Sequence, residues 1–177
     1  LFRSHSHEHS IEVQLPILRH LMPNARIVPV MMLPVEDSTA MGRQAAEVAA
    51  KMGRRVAFVG STDLTHYGPA FAFEPAGPGP AGLRWAKEEN DRRVISLISR
   101  LNAAGVIAEA AAHHNACGAG AVAATIGASM AAGATHYEEI EHITSAESSA
   151  GRGADGRNAV GYEAGAFLRA DQQSCFT

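Results

Sequence analysis

The sequence predicts an α/β layered domain with a largely parallel sheet, and three observations carry that prediction. Helix-type and strand-type segments alternate with short connections through the first third of the chain. Two further strand-type segments, near Tyr137–Thr144 and Ala159–Leu168, close it. The length of 177 residues and an apolar share of 46% suit one domain with a real core.

The elements follow in order. Ser10 can cap a helix whose apolar positions Ile11, Leu15, Leu18 and Leu21 follow helical spacing, with Pro16 bending it. Pro23-Asn24 ends that helix, and residues 26–33 read as a strand near a sheet edge because of Pro29. Asp37 or Ser38 caps a second helix running to about Met52, which Gly53 stops. A second strand at 55–60 follows, expected beside or near the first, with helices packed on the sheet.

Residues 69–82, rich in Pro, Gly and Ala, read as a long loop placed where lids over active sites are found. An amphipathic helix spans roughly Leu83 to Leu101. Ala- and Gly-rich helices come next, interrupted near Gly105 and around His113-His114-Asn115. The helix from Cys117 to about Met130 carries so many small residues that it must approach a neighbour very closely. Between the last two strands lies a Gly/Ser/Ala-rich loop at 146–158.

Composition excludes several functions. The net charge of −3 and the lack of a basic stripe argue against nucleic acid and membrane surfaces as partners. No apolar run approaches a membrane-spanning length, and nothing at the start reads as a signal peptide. Cys117 and Cys175 sit in unlike contexts, so no disulfide framework is expected and a cytoplasmic location is the default. Leu1, followed by a His-rich stretch, reads as a chain cut upstream.

Chemistry concentrates in three places. The first is the octapeptide Ser61-Thr62-Asp63-Leu64-Thr65-His66-Tyr67-Gly68, directly after the second predicted strand. A strand that ends in a polar turn can aim Asp63 and His66 into one crevice. There Asp63 orients the imidazole and His66 carries the proton. The plainer alternative is that Asp63 caps a helix that His66 decorates.

The second place is the start of the chain, where His5, His7 and His9 could share one side of a strand as a metal site. A frayed, solvated terminus fits His5 and His7 equally well, and His9 beside Ser10 is the better functional candidate. The third is His113-His114 with Cys117, a cysteine at a helix N-terminus that suits a thiolate, a metal ligand or a redox group. A small buried residue is the alternative there. His113 joins Cys117 only if the helix runs unbroken through Asn115. No phosphate loop and no serine-hydrolase elbow is present.

Residues 8–16, Glu-His-Ser-Ile-Glu-Val-Gln-Leu-Pro, together with Arg26–Val30 and the octapeptide, resemble the Memo family; the Cys117-Gly118 helix and the Ala159–Tyr162 strand fit it too. The resemblance implies the three-layer helix/sheet/helix fold of the class III extradiol dioxygenases. It implies a single domain over 1–177 corresponding to the C-terminal two-thirds of a Memo-like domain. It also implies a non-haem, metal-dependent oxidoreductase, dioxygenase-like in complete form, or else a non-catalytic metal- or peptide-binding protein using the same crevice.

Residue by residue, the resemblance makes Cys117 the metal ligand, His66 the acid/base histidine with Asp63 orienting it, and His9 a histidine contacting substrate or oxygen. The metal expected is a first-row ion, iron foremost, with copper or zinc as alternatives. The family's two metal-binding histidines belong to motifs upstream of Glu8-His9-Ser10, so binding by this chain alone is expected to be weak or absent. A small aromatic substrate or a peptide is the expected partner. A homo-oligomer, or a partner chain that completes the sheet, is a further expectation.

Overall fold

The computed structural model describes residues 9–148 and 156–172. The chain divides into two compact units, Leu1–Met31 and Met32–Thr177. Among the described residues no helix is long and apolar enough to cross a membrane.

In the first unit the apolar spacing produces two short helices, α1 (His9–Glu12) and α2 (Leu15–Leu21), where one was expected. Pro16 falls in the first turn of α2, where its missing N–H is not needed, so it starts a helix and does not bend one.

The second unit mixes helix and sheet. Its helices are α3 (Ser38–Lys51), α4 (Pro80–Trp85), α5 (Arg92–Ser99), α6 (Ala103–His113), α7 (Ala119–Ala131) and α8 (Ser145–Ser148). A π-helical stretch, Ala86–Asp91, joins α4 to α5 and makes one continuous rod. The strands are β1 (His66–Tyr67), β2 (His136–Thr144) and β3 (Ala159–Leu168).

Ser38 starts α3: its Oγ donates to Leu33 O at 2.6 Å and accepts from the Val35 N–H at 3.3 Å. Gly53, at φ +62°, ends it as the sequence predicts. The small residues of α7 are there for α3. A Cβ at Gly42 would lie 1.8 Å from Ala124 O, and one at Gly127 would lie 2.2 Å from Thr39 O. Val94, Ile95 and Ile98 of α5 meet Val106 and Ala110 of α6 and Val122, Ala123 and Ile126 of α7 in the core, and Leu64 plugs into it.

The sheet departs from expectation. Its order is β1-β3-β2 and both pairings are antiparallel, so the paired strands do not form the largely parallel sheet that the helix/strand alternation suggested. β2 and β3 follow the predicted segments closely, with a bulge between Glu139 and Glu141. Residues 26–33 and 54–60 form neither helix nor paired strand. Their apolar side chains, such as Val28 at 81% and Val59 at 56% exposure, meet water. Periodicity shows that a segment suits a strand, but a strand also needs a hydrogen-bonded neighbour, and none is supplied among the described residues.

Gly105 does not break its helix either. The break falls four residues earlier, at Leu101 (φ +56°), and Asn102 then caps α6 by accepting the Gly105 N–H at 3.0 Å.

Candidate active site

The octapeptide is held by its buried residues. Leu64, Thr65 and Tyr67 are all at most 3% exposed, which leaves Asp63 and His66 facing outward between anchors. Strand β3 clamps the turn from one side. The Leu64 N–H donates to Gly161 O at 2.9 Å, the Gly161 N–H donates to Thr65 O at 3.0 Å, and His66 pairs with Val160. Gly68, at φ +119°, turns the chain where a Cβ would strike Arg157 O at 2.4 Å; no other residue fits both demands.

The loop that follows is tied down. The Tyr67 hydroxyl donates to Gly77 O at 2.8 Å and accepts the Ala76 N–H at 3.1 Å, and the Ala70 N–H donates to Asn158 Oδ1 at 2.9 Å. Burial pushes the Tyr67 phenol up from its ordinary value.

Cys117 reaches the same place from the other side of the sequence. Helix α6 ends at His113, His114 turns left-handed at φ +52°, and Gly118 is the N-cap of α7. The two segments clasp each other. The Cys117 N–H donates to Asp63 O at 3.2 Å, and the Asp63 N–H donates to Cys117 Sγ at 3.3 Å. Thr62 Oγ1 accepts the Gly118 N–H at 2.8 Å and lies 3.9 Å from the sulfur.

Three ligand-capable atoms therefore converge: a carboxylate oxygen of Asp63, a ring nitrogen of His66 and Cys117 Sγ all lie within 4.8 Å of one another. Asp63 Oδ2 sits 3.2 Å from His66 Nε2. Accepting from Nε2–H, Asp63 sets that tautomer and leaves Nδ1 as the basic nitrogen. Cys117 is exposed, and the Asp63 and His66 side chains are 46% and 36% exposed. The separations and the mix of thiolate, imidazole and carboxylate fit a first-row transition ion.

Beside this cluster opens a crevice of about 470 Å³, lined chiefly by Leu64, His66, Phe71, Phe73, His114 and Cys117. Phe71 stacks on the His66 ring at 5.0 Å, and Phe73 meets His114 edge-on at 5.6 Å. The Tyr162 phenol is pushed up by burial and then by the charge of Asp63.

His113 does not join Cys117. The helix breaks before Asn115, and His113 Nε2 instead lies 3.3 Å from Arg93 Nη1 and 3.8 Å from Glu109 Oε1. His5, His7 and Cys175 lie outside the described residues, as does the side chain of His9, whose backbone opens α1. The sequence reading named His114 beside Cys117, and it lines the crevice; it missed Thr62, which bridges the two segments, and gave Phe71 no place in the site. It also missed the paired Asn90 and Asp91 beneath the turn. Two adjacent polar residues inside an amphipathic helix were the available signal for that pair.

A mixed α/β unit that presents a thiolate, an imidazole and a carboxylate together defines a candidate metal-site class. The comparisons give the family. The Memo-like protein family profile matches residues 2–166, and the chain belongs to that family. A MEMO1 family protein of Thermococcus onnurineus is 36% identical over 152 residues, covering 81% of this chain and 52% of that protein. One of Methanopyrus kandleri is 36% identical over 171 residues, covering 94% and 54%. One of Methanosarcina barkeri is 34% identical over 165 residues, covering 90% and 55%. The chain spans about half the length of these relatives.

Proposed function

We propose that this Memo-family chain carries the acid/base and thiolate side of a metal-dependent, dioxygenase-like oxidoreductase site. The observation that carries the reading is the convergence of Asp63, His66 and Cys117 within 4.8 Å at the mouth of an aromatic-lined crevice. Cys117 would hold a first-row metal, iron foremost, with copper or zinc as alternatives for a softer thiolate site. Bound there, such an ion supplies a Lewis-acidic, redox-capable centre for substrate and oxygen.

The chain's own residues do the rest. His66 Nδ1 takes a proton from a substrate hydroxyl and later returns it, while Asp63, 3.2 Å from Nε2, holds the ring in place. Phe71 stacks on that ring and limits its rotation. Leu64, Phe71 and Phe73 offer an apolar bed for a small aromatic substrate. His9 is proposed as a substrate-contacting histidine on the family resemblance alone. On the same resemblance the complete protein is proposed to adopt the three-layer extradiol dioxygenase fold, and the exposed apolar side chains at 26–33 and 54–60 support further sheet strands beside them.

The exposure of all three groups favours a second reading, in which the crevice binds a metal or a peptide without turnover. Oxygen uptake over a panel of catechols by iron-loaded protein separates the two. Uptake that His66→Asn abolishes while bound metal is retained supports the enzyme. Metal or peptide binding with no uptake from any catechol supports the second reading.

A further inference from the structure

Beneath the octapeptide lies a polar cluster that the proposed chemistry does not use. Asn90 and Asp91, in the π-helical stretch, are 0% exposed. Asp91 Oδ1 accepts the Thr65 N–H at 2.9 Å, and its Oδ2 sits 3.0 Å from Nε2 of His142, in a pair whose side chains are both 1% exposed. Asn90 Nδ2 donates to Thr65 Oγ1 and to His113 O, both at 3.0 Å. Asn90 O accepts from Asn115 Nδ2 at 2.8 Å.

Two adjacent residues thus grip both halves of the site. One half is Thr65, which stands between Asp63 and His66. The other is Asn115, two positions before Cys117. Gly161 belongs to the same arrangement, since a Cβ there would lie 2.1 Å from Asp91 Oδ2.

We propose that Asp91, braced by His142 and admitted by Gly161, is a positioning residue that sets the Asp63–His66 turn at its working distance from Cys117. Packing alone gives no reason for a carboxylate here. A buried charged group costs stability unless it is paired, and apolar residues of similar volume fill such sites at least as well. What a carboxylate does that an apolar residue cannot is accept the Thr65 amide with one oxygen while a second partner fixes the other. π-helical turns of this kind occur frequently at functional sites.

The proposal rests on the reading of Asp63, His66 and Cys117 as a site, and its test is chosen to fail separately from that reading. Hydrogen exchange at the Thr65 amide and titration with Co²⁺, followed by the cobalt–thiolate absorption band, are measured on the full chain. Asp91→Ala should expose the Thr65 amide to fast exchange. It should also weaken Co²⁺ binding by about tenfold to a hundredfold, the usual effect of losing a group that orients a ligand, because the Asp63 N–H that holds Cys117 Sγ moves with the turn. Asp91→Asn keeps an oxygen for the Thr65 N–H and should retain wild-type behaviour in both. Val106→Ala, a core truncation that removes none of these hydrogen bonds, should lower stability while sparing both readouts.

The proposal is overturned if Asp91→Ala leaves Thr65 exchange at the wild-type rate, if Val106→Ala reproduces its effects, or if Asp91→Asn is as damaged as Asp91→Ala. Should Asp91→Ala not fold, Gly161→Ala is read in its place. Fast Thr65 exchange there supports the proposal, and wild-type exchange overturns it. A wild-type chain without a cobalt–thiolate band sinks the metal reading alone, and Thr65 exchange then decides the positioning role by itself.

Discussion

Replacing Gly118 by Ala should separate Cys117 from the Asp63–His66 turn without touching any reactive group. Gly118 has φ −99°, which any residue adopts, so the added methyl brings no backbone strain and acts by volume alone. An ideal Cβ there would lie 2.6 Å from Ser61 O and 2.9 Å from Thr62 Cβ. Ordinary contact begins at 3.4 Å, so backbone must yield by 3.4 − 2.6 = 0.8 Å. The wedge also parts the Asp63 N–H from Cys117 Sγ, a 3.3 Å contact that orients the sulfur, and losing such a partner weakens metal binding about tenfold to a hundredfold. The same wedge strains the Gly118 N–H to Thr62 Oγ1 bond of 2.8 Å.

Overpacking of this kind costs roughly 1–3 kcal/mol. For a chain of this size each kcal/mol lowers the melting temperature by roughly 2–4 °C. Calorimetry would measure that loss, and Co²⁺ titration would measure the site. Gly53→Ala is the matched control: its φ of +62° penalises a side chain, yet nothing lies within 4 Å of the new methyl. If Gly118→Ala binds Co²⁺ as tightly as Gly53→Ala at a similar melting temperature, the clasp between the two segments does not set the site.

Two further outcomes are expected. Gly42→Ala gains helix propensity of about 1 kcal/mol, yet its methyl would sit 1.8 Å from Ala124 O, which is backbone and cannot swing aside. Net destabilisation in thermal unfolding is therefore predicted, and a raised melting temperature would refute the close α3–α7 approach. Glu163, which accepts a hydrogen bond from the Tyr137 hydroxyl, has its carboxyl pushed up by burial from an ordinary 4.5. The native state then holds that proton more tightly than the unfolded chain, so this contribution to stability falls as pH rises from about 4.5 through the raised native value. The stability of wild type relative to Glu163→Gln, measured by urea unfolding, should decline across that window; a constant difference would contradict the shift.

Much of the second unit was legible because the forces that form it are local. Two strand-type segments on either side of a Gly/Ser/Ala-rich loop marked β2 and β3, Gly53 marked the end of α3, and the small residues of α7 announced a close neighbour. The segments 26–33 and 54–60 were misread for one shared reason: a strand needs a partner, and apolar periodicity records only the suitability of one side. Asp63, His66 and Cys117 could be picked out by residue type and setting. The grip of Thr62, Asn90 and Asp91 depends on contacts between residues 25 to 56 positions apart, which spacing along a chain does not encode.

In the proposed site Cys117 is the metal ligand and His66, held by Asp63, is an acid/base group beside it. Elemental analysis and the cobalt–thiolate band, measured on wild type, Cys117→Ser and His66→Asn, address both halves at once. The wild-type chain should show the band at sub-stoichiometric loading, Cys117→Ser should lose both band and metal, and His66→Asn should keep both. Stoichiometric metal that survives Cys117→Ser would contradict the ligand assignment. Loss of the metal in His66→Asn would turn His66 from a proton carrier into a ligand.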